Sequence, residues 1–114
     1  MSPASRPPLS EPSYFVLAAL QDGPRHGYAI IKVILELSDN RLTLAVGTLY
    51  SVLDRLARED YVAVTGEEIV NGRARRYYAI TEPGRAALHR EAERMAAAAR
   101  LVTRRANGPI GSPA

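Results

Sequence analysis

Thr48, Ser51, Arg55 and Arg58 recur at spacings of 3, 4 and 3 within segment 46–59. On a helix such spacing puts them along one face. Leu49, Val52, Leu53 and Leu56 take the other side and must pack inward. Short hydroxyls near a helix start can enter a DNA major groove without clashing, and arginines further along reach phosphates or a guanine edge. Gly47 lets the backbone come close to a phosphate at the helix start, where free N–H groups favour an anion. The chemistry open to this face is recognition of a polyanion.

Catalysis finds no comparable support. The only histidines, His26 and His89, lie far apart in the chain and lack metal-ligand spacing. Glu67 and Glu68 are strand neighbours, so they point to opposite faces and cannot act as an acid/base pair. No glycine-rich phosphate loop and no G-x-S-x-G elbow occurs. Cysteine is absent, which removes disulfides and thiolate metal sites. We expect no enzyme, no metal and no cofactor.

The elements that must carry this face can be read from periodicity. With 114 residues, 46% of them hydrophobic and 24% charged, the chain suits one soluble globular domain. No apolar run approaches the ~18 residues of a membrane span, and no charged-then-apolar leader is present. A cytoplasmic protein without a membrane partner is the expectation. Charge is unevenly placed. Residues 1–60 carry six basic and seven acidic side chains, whereas 61–114 carry nine basic and five acidic ones. A basic half hints at polyanions.

Proline-rich residues 1–12 read as a disordered arm, and 107–114 as a disordered tail. "PSYFVLAALQDG" reads as a first helix with Phe15, Val16, Ala19 and Leu20 buried. "HGYAIIKVILELSD" reads as a second, with Ile30, Ile31, Ile34 and Leu35 inward. The third spans roughly 46–59. The period then drops to two around Asn71-Gly72, a strong hairpin signal. With those two residues as the turn, Glu68 faces Arg75 and Glu67 faces Arg76. Thr81 then caps a last helix, roughly 82–106. In it Leu88, Ala92, Met95, Ala99, Val102 and Ala106 recur at 4, 3, 4, 3 and 4, a coiled-coil seam. About 25 helical residues extend ~37 Å, longer than so small a domain is wide, so the seam needs a partner.

Three helices and a hairpin in this order imply a winged helix-turn-helix, mainly α within the α+β class, over residues 13–80. Residues 81–106 would form a long C-terminal dimerisation helix. The chain also resembles the PadR family of bacterial transcriptional regulators, in its short form with one C-terminal helix. Three blocks carry the resemblance in order: "HGYAI" at 26–30, "GTLYSVLDRL" at 47–56 and "NGRARRYYAITEPGR" at 71–85. It implies a dimeric repressor bound to a pseudo-palindromic double-stranded DNA operator and released by a small-molecule effector. The third helix would enter the major groove and the hairpin would touch flanking backbone.

The candidate DNA contacts are Thr48, Tyr50, Ser51, Arg55 and Arg58 on the third helix. His26, Tyr28 and Lys32 join them on the second, with Arg73 and Arg75 on the wing. Leu88, Ala92, Met95, Ala99 and Val102 are the dimerisation candidates. The resemblance implies effector binding near Tyr14, Phe15, Met95 and Val102. Two features depart from the family pattern: Ala45-Val46 replaces a serine-proline pair, which forfeits an N-cap worth about 1 kcal/mol unless Thr43 or water substitutes, and Asp60 replaces a glycine. The alternative function is a winged helix that binds protein without specific DNA binding. It would call for an apolar or acidic outer face on the third helix, unlike this hydroxylated and basic one.

Overall fold

Capping decides where each helix begins. The structure is a computed structural model and describes residues 8–107. Helix α1 spans Glu11–Leu20, and the Ser10 hydroxyl accepts the Ser13 N–H at 3.2 Å. Pro12 stands in the first turn, where its missing N–H costs nothing. The expected arm is therefore too long at its inner end: α1 already starts at Glu11, and Leu9 packs on the core. The rest of the arm and the tail from residue 108 lie outside the described residues. At the far end of α1, Arg25 Nε donates to the Ala19 carbonyl at 2.8 Å and Arg85 to that of Gln21 at 3.3 Å. The two guanidiniums take acceptors left free by the helix end.

A two-residue strand β1, Arg25–His26, precedes helix α2, Gly27–Leu37. Periodicity did not reveal it, because two residues are too few to show an alternation. Helix α3 follows at Val46–Arg58. Strands β2, Val62–Val70, and β3, Arg73–Ile80, form the hairpin. With β1 they make an antiparallel sheet in the order β1-β3-β2. Asn71 and Gly72 adopt φ of 53° and 77°, the left-handed values a tight hairpin turn needs. The expected register holds at the tip, with Glu68 opposite Arg75 and Glu67 opposite Arg76. A bulge between Val64 and Gly66 shifts the pairing by one residue nearer the core. Helix α4 runs from Glu82 to Asn107. This is a winged helix-turn-helix with a long C-terminal helix.

Leu17, Leu20, Ile30, Ile34, Leu49, Leu53 and Leu56 are the large side chains at the centre of the core. In α1, Leu17 takes the deep position and Phe15 is only half-buried. The reason is that α1 packs against α2, α3 and α4 at once, so its buried face is wider than one stripe. Ile31 and Leu35 of α2 are likewise half-buried.

One knot joins α3, β2 and α4. Asp60 ends α3 at φ 65°, its N–H donating to Ala57 O at 3.0 Å while Tyr61 N–H donates to Leu56 O at 2.8 Å. That is a Schellman ending built on aspartate where glycine is usual. Thr81 donates its hydroxyl to Asp60 O at 2.6 Å and its N–H to Tyr61 O at 3.0 Å. The same hydroxyl accepts the Gly84 N–H at 3.0 Å and so caps α4. Gly84 lies so close that a Cβ there would sit 2.1 Å from the Tyr61 carbonyl oxygen. Backbone cannot give way as a flexible side chain can. Gly84→Ala should therefore cost about 1–3 kcal/mol, seen as a lower denaturant midpoint. Gly47→Ala, with open space around it, should instead gain up to about 1 kcal/mol. Equal midpoints for the two variants would contradict this reading of the junction.

Candidate nucleic-acid interface

The outward ridge of α3 is set by its inward one. Leu49, Val52, Leu53 and Leu56 are buried, and at about 100° per residue the positions most directly opposite are Gly47, Ser51, Asp54 and Arg58. All four are exposed. Thr48 and Arg55 are exposed on one flank, toward α1. There Arg55 lines a half-open cleft of about 420 Å³ with Pro8, Leu9, Ser10, Ser13, Glu59 and Tyr61. Tyr50 occupies the other flank and is 39% exposed. Its hydroxyl lies over Gly27, where a Cβ would meet it at 2.7 Å, and its ring is 6.5 Å from that of Tyr78. The ring thus packs between the start of α2 and the sheet, with one edge open.

Asp54 is a ridge residue that the sequence reading passed over. The 4, 3, 4 spacing from Gly47 through Ser51 and Asp54 to Arg58 was the available signal. The start of α3 has the extended backbone of a cap at Ala45, φ −69° and ψ 152°, yet no side chain caps it. Thr43 does not substitute. The N–H groups of the first turn are open to an external acceptor.

His26 is the N-cap of α2. Its Nδ1 accepts the Ala29 N–H at 3.4 Å, and its ring stands edge-on to Tyr77 at 5.5 Å. Burial, helped by the nearby Arg75 charge, pushes its pKa below the usual histidine value, with Glu68 opposing. Beyond it, Tyr28 is 70% exposed, and Lys32 is exposed one turn later.

The wing divides its arginines. Arg76 reaches Glu67 at 3.6 Å, and Arg75 lies 4.0 Å from Glu68. The Tyr77 hydroxyl donates to Glu68 at 2.6 Å, which holds the tyrosine pKa above its ordinary value. Arg73 is exposed at the tip, and no ion pair to it occurs among the described residues.

Along α4, Leu88 is 3% exposed and belongs to the core of its own chain. Ala92 is half-buried, and Met95, Ala99 and Val102 are exposed, as is Leu101 beside them. Glu91, buried on the flank of this seam, is held by Arg94. On α1 the half-buried rings of Tyr14 and Phe15 meet edge-to-face at 5.5 Å.

The His26 cap makes stability depend on pH. A lowered pKa means the unfolded chain takes up the proton first, so the stabilisation is present above about pH 6.5. It is lost as pH falls below that value toward the folded-state pKa. The parent should show this loss in denaturation midpoints between pH 7 and 5.5. His26→Asn keeps a capping oxygen and should flatten that part of the profile. An unchanged profile in the variant would assign the slope elsewhere.

The model of the transcriptional regulator PadR-like family matches residues 16–90. Over 81 residues the chain is 44% identical to an uncharacterized protein in a transposon of Streptomyces fradiae, covering 71% of this chain and 22% of that protein. It is 42% identical over 67 residues to a transcriptional regulator of Mycobacterium tuberculosis, covering 59% of this chain and 62% of the other. The chain thus spans about a fifth of the first relative and under two thirds of the second. Among solved structures, a transcriptional regulator from Clostridium thermocellum superposes with TM-score 0.69 at 25% identity, covering 81% of this chain and 89% of that one. Bacillus subtilis PadR in complex with operator DNA superposes with TM-score 0.59 at 23% identity, covering 68% and 44%.

Proposed function

Because the chain belongs to the PadR-like family of transcriptional regulators, we propose that it is a DNA-binding repressor that works as a homodimer on a pseudo-palindromic operator. The observation that carries this is the outer side of α3. It is exposed from Gly47 to Arg58, rich in hydroxyls and arginine, and opens on an uncapped helix start. Thr48 and Ser51 are short enough to enter a groove, and Arg58 reaches further along it. Arg55, turned toward α1, suits a phosphate. Tyr50 offers one edge, and Tyr28 and Lys32 extend the same surface along α2. His26 acts through its cap. The solved complex of Bacillus subtilis PadR with operator DNA has this fold, which supports the reading.

The wing contributes mainly through Arg73, since Arg75 has a carboxylate close by. Phosphate contacts carry no base preference. Arg73→Ala should weaken binding about equally on every sequence and lower the salt slope of affinity by roughly one unit. Titrations of labelled duplexes at several salt concentrations measure both. A slope unchanged by the substitution would take the wing tip off the interface.

The dimer would form along α4, whose seam beyond Leu88 is left to solvent in the single chain. Met95 is 37% and Val102 70% exposed, with Ala92 and Ala99 small enough for a partner helix to approach. A single reading helix covers few base pairs, so operator affinity depends on the pair, with half-sites about 10 bp apart. A small-molecule effector that releases the repressor would bind at or near the dimer interface, between the first and last helices, near Tyr14, Phe15, Met95 and Val102. Met95→Asp buries a charge in the dimer and should yield monomers with steeply reduced operator affinity. Arg100→Asp, off the seam, should stay dimeric. Sedimentation at micromolar concentration and duplex titration read the two effects. A Met95→Asp dimer would put the interface elsewhere.

A further inference from the structure

Asp54 is the exception on a face otherwise suited to a polyanion. It is exposed in the middle of the ridge, with Ser51 one turn before it and Arg58 one turn after. A helix usually resolves such an arrangement by pairing the carboxylate with the arginine four residues on. That pair is not formed: among the described residues Asp54 has neither an ion pair nor a side-chain hydrogen bond. The cost of placing it against DNA is therefore not cancelled within the protein.

A carboxylate between two phosphate backbones loses binding energy unless a base donor compensates it. In the major groove the donors are the amino groups of cytosine and adenine. Adenine carries the N7 acceptor beside its amino group, and that lone pair faces a carboxylate unfavourably. Cytosine presents its amino group with no acceptor of its own in the groove.

We infer that Asp54 is a specificity-determining residue, which selects cytosine at one position of each half-site and penalises DNA that lacks it. The inference rests on the DNA-binding reading above and adds the base that is read. The hydroxyls and arginines around it favour DNA of many sequences. Asp54 subtracts from all of that binding and gives it back only where cytosine is in place.

The test starts from the operator, obtained by selecting duplexes from a random pool with the full chain. Each base pair of a half-site is then varied and the affinity measured for the parent, Asp54→Asn and Asp54→Ala. Asp54 is exposed and unbonded, so neither variant removes a folding contact. In the parent, one cytosine should be required, with roughly tenfold loss for any other base. Asp54→Asn should move the preference at that position to adenine, whose N6 and N7 match an amide. Asp54→Ala should accept any base there. Both variants should bind random-sequence DNA several-fold more tightly than the parent. The inference is overturned if both variants keep the parent's preference at every position, even with altered overall affinity. A parent that shows no salt-sensitive binding to any duplex overturns the DNA-binding reading itself.

Discussion

The meeting of Gly84 with the carbonyl of Tyr61 is the contact on which the rest of the molecule depends. Three elements of different kinds end or begin within a few residues of it: the C-terminus of α3, the first residue of β2 and the first turn of α4. The Thr81 N–H and hydroxyl tie them together at backbone atoms of Asp60, Tyr61 and Gly84. The orientation of α3 relative to the wing and to the long helix is fixed there. Asp60 can stand where glycine is usual because its backbone takes part in the same network: its carbonyl receives the Thr81 hydroxyl and its N–H closes the helix. The strain of a left-handed aspartate is thereby offset.

Around this fixed centre the polar surface is unevenly committed. The wing holds two of its three arginines near carboxylates, and α4 sets Arg94 on Glu91. Arg41 meets Glu11 at 2.7 Å and closes the loop after α2 onto α1. The exposed pairs among these bind weakly and screen readily, but all of them lower the charge available to a polyanion. The outer side of α3 differs. Among the described residues its hydroxyls, arginines and first-turn N–H groups have no partner that would have to be displaced.

The sequence made some features legible and hid others for physical reasons. Long periodic segments were readable: the leucine side of α3, the Asn71-Gly72 turn with its charge pairs, and the length of α4. Strand β1 was hidden because its pairing partner, around Tyr77 and Tyr78, is far away in the chain. Arg55 and Asp54 are adjacent, and the run of hydroxyls and arginines drew the stripe through the arginine. The period of the buried leucines puts Asp54 opposite the core instead, and Arg55 on the flank beside α1. Leu88 fits the seam by spacing, yet the domain's own core reaches it first. Gly84 looked like an ordinary residue of a helix start, since no local pattern says what backbone will pass beside it. His26, read as a possible contact, turned out to be fastened to α2 and the sheet.

Helix α4 is a lever with unequal arms. Its short arm, Gly84 to Glu91, is sunk in the core, and its long arm runs free to Asn107. From the fulcrum at Gly84 the helix reaches about 35 Å. A tilt of about 10° there would carry the far end about 6 Å sideways, close to two base-pair steps of ~3.4 Å. Small changes in side chains around Tyr61 and Thr81 would thus be magnified into changes of reach. The same scaffold could be regauged for a different spacing without altering one residue that faces outward.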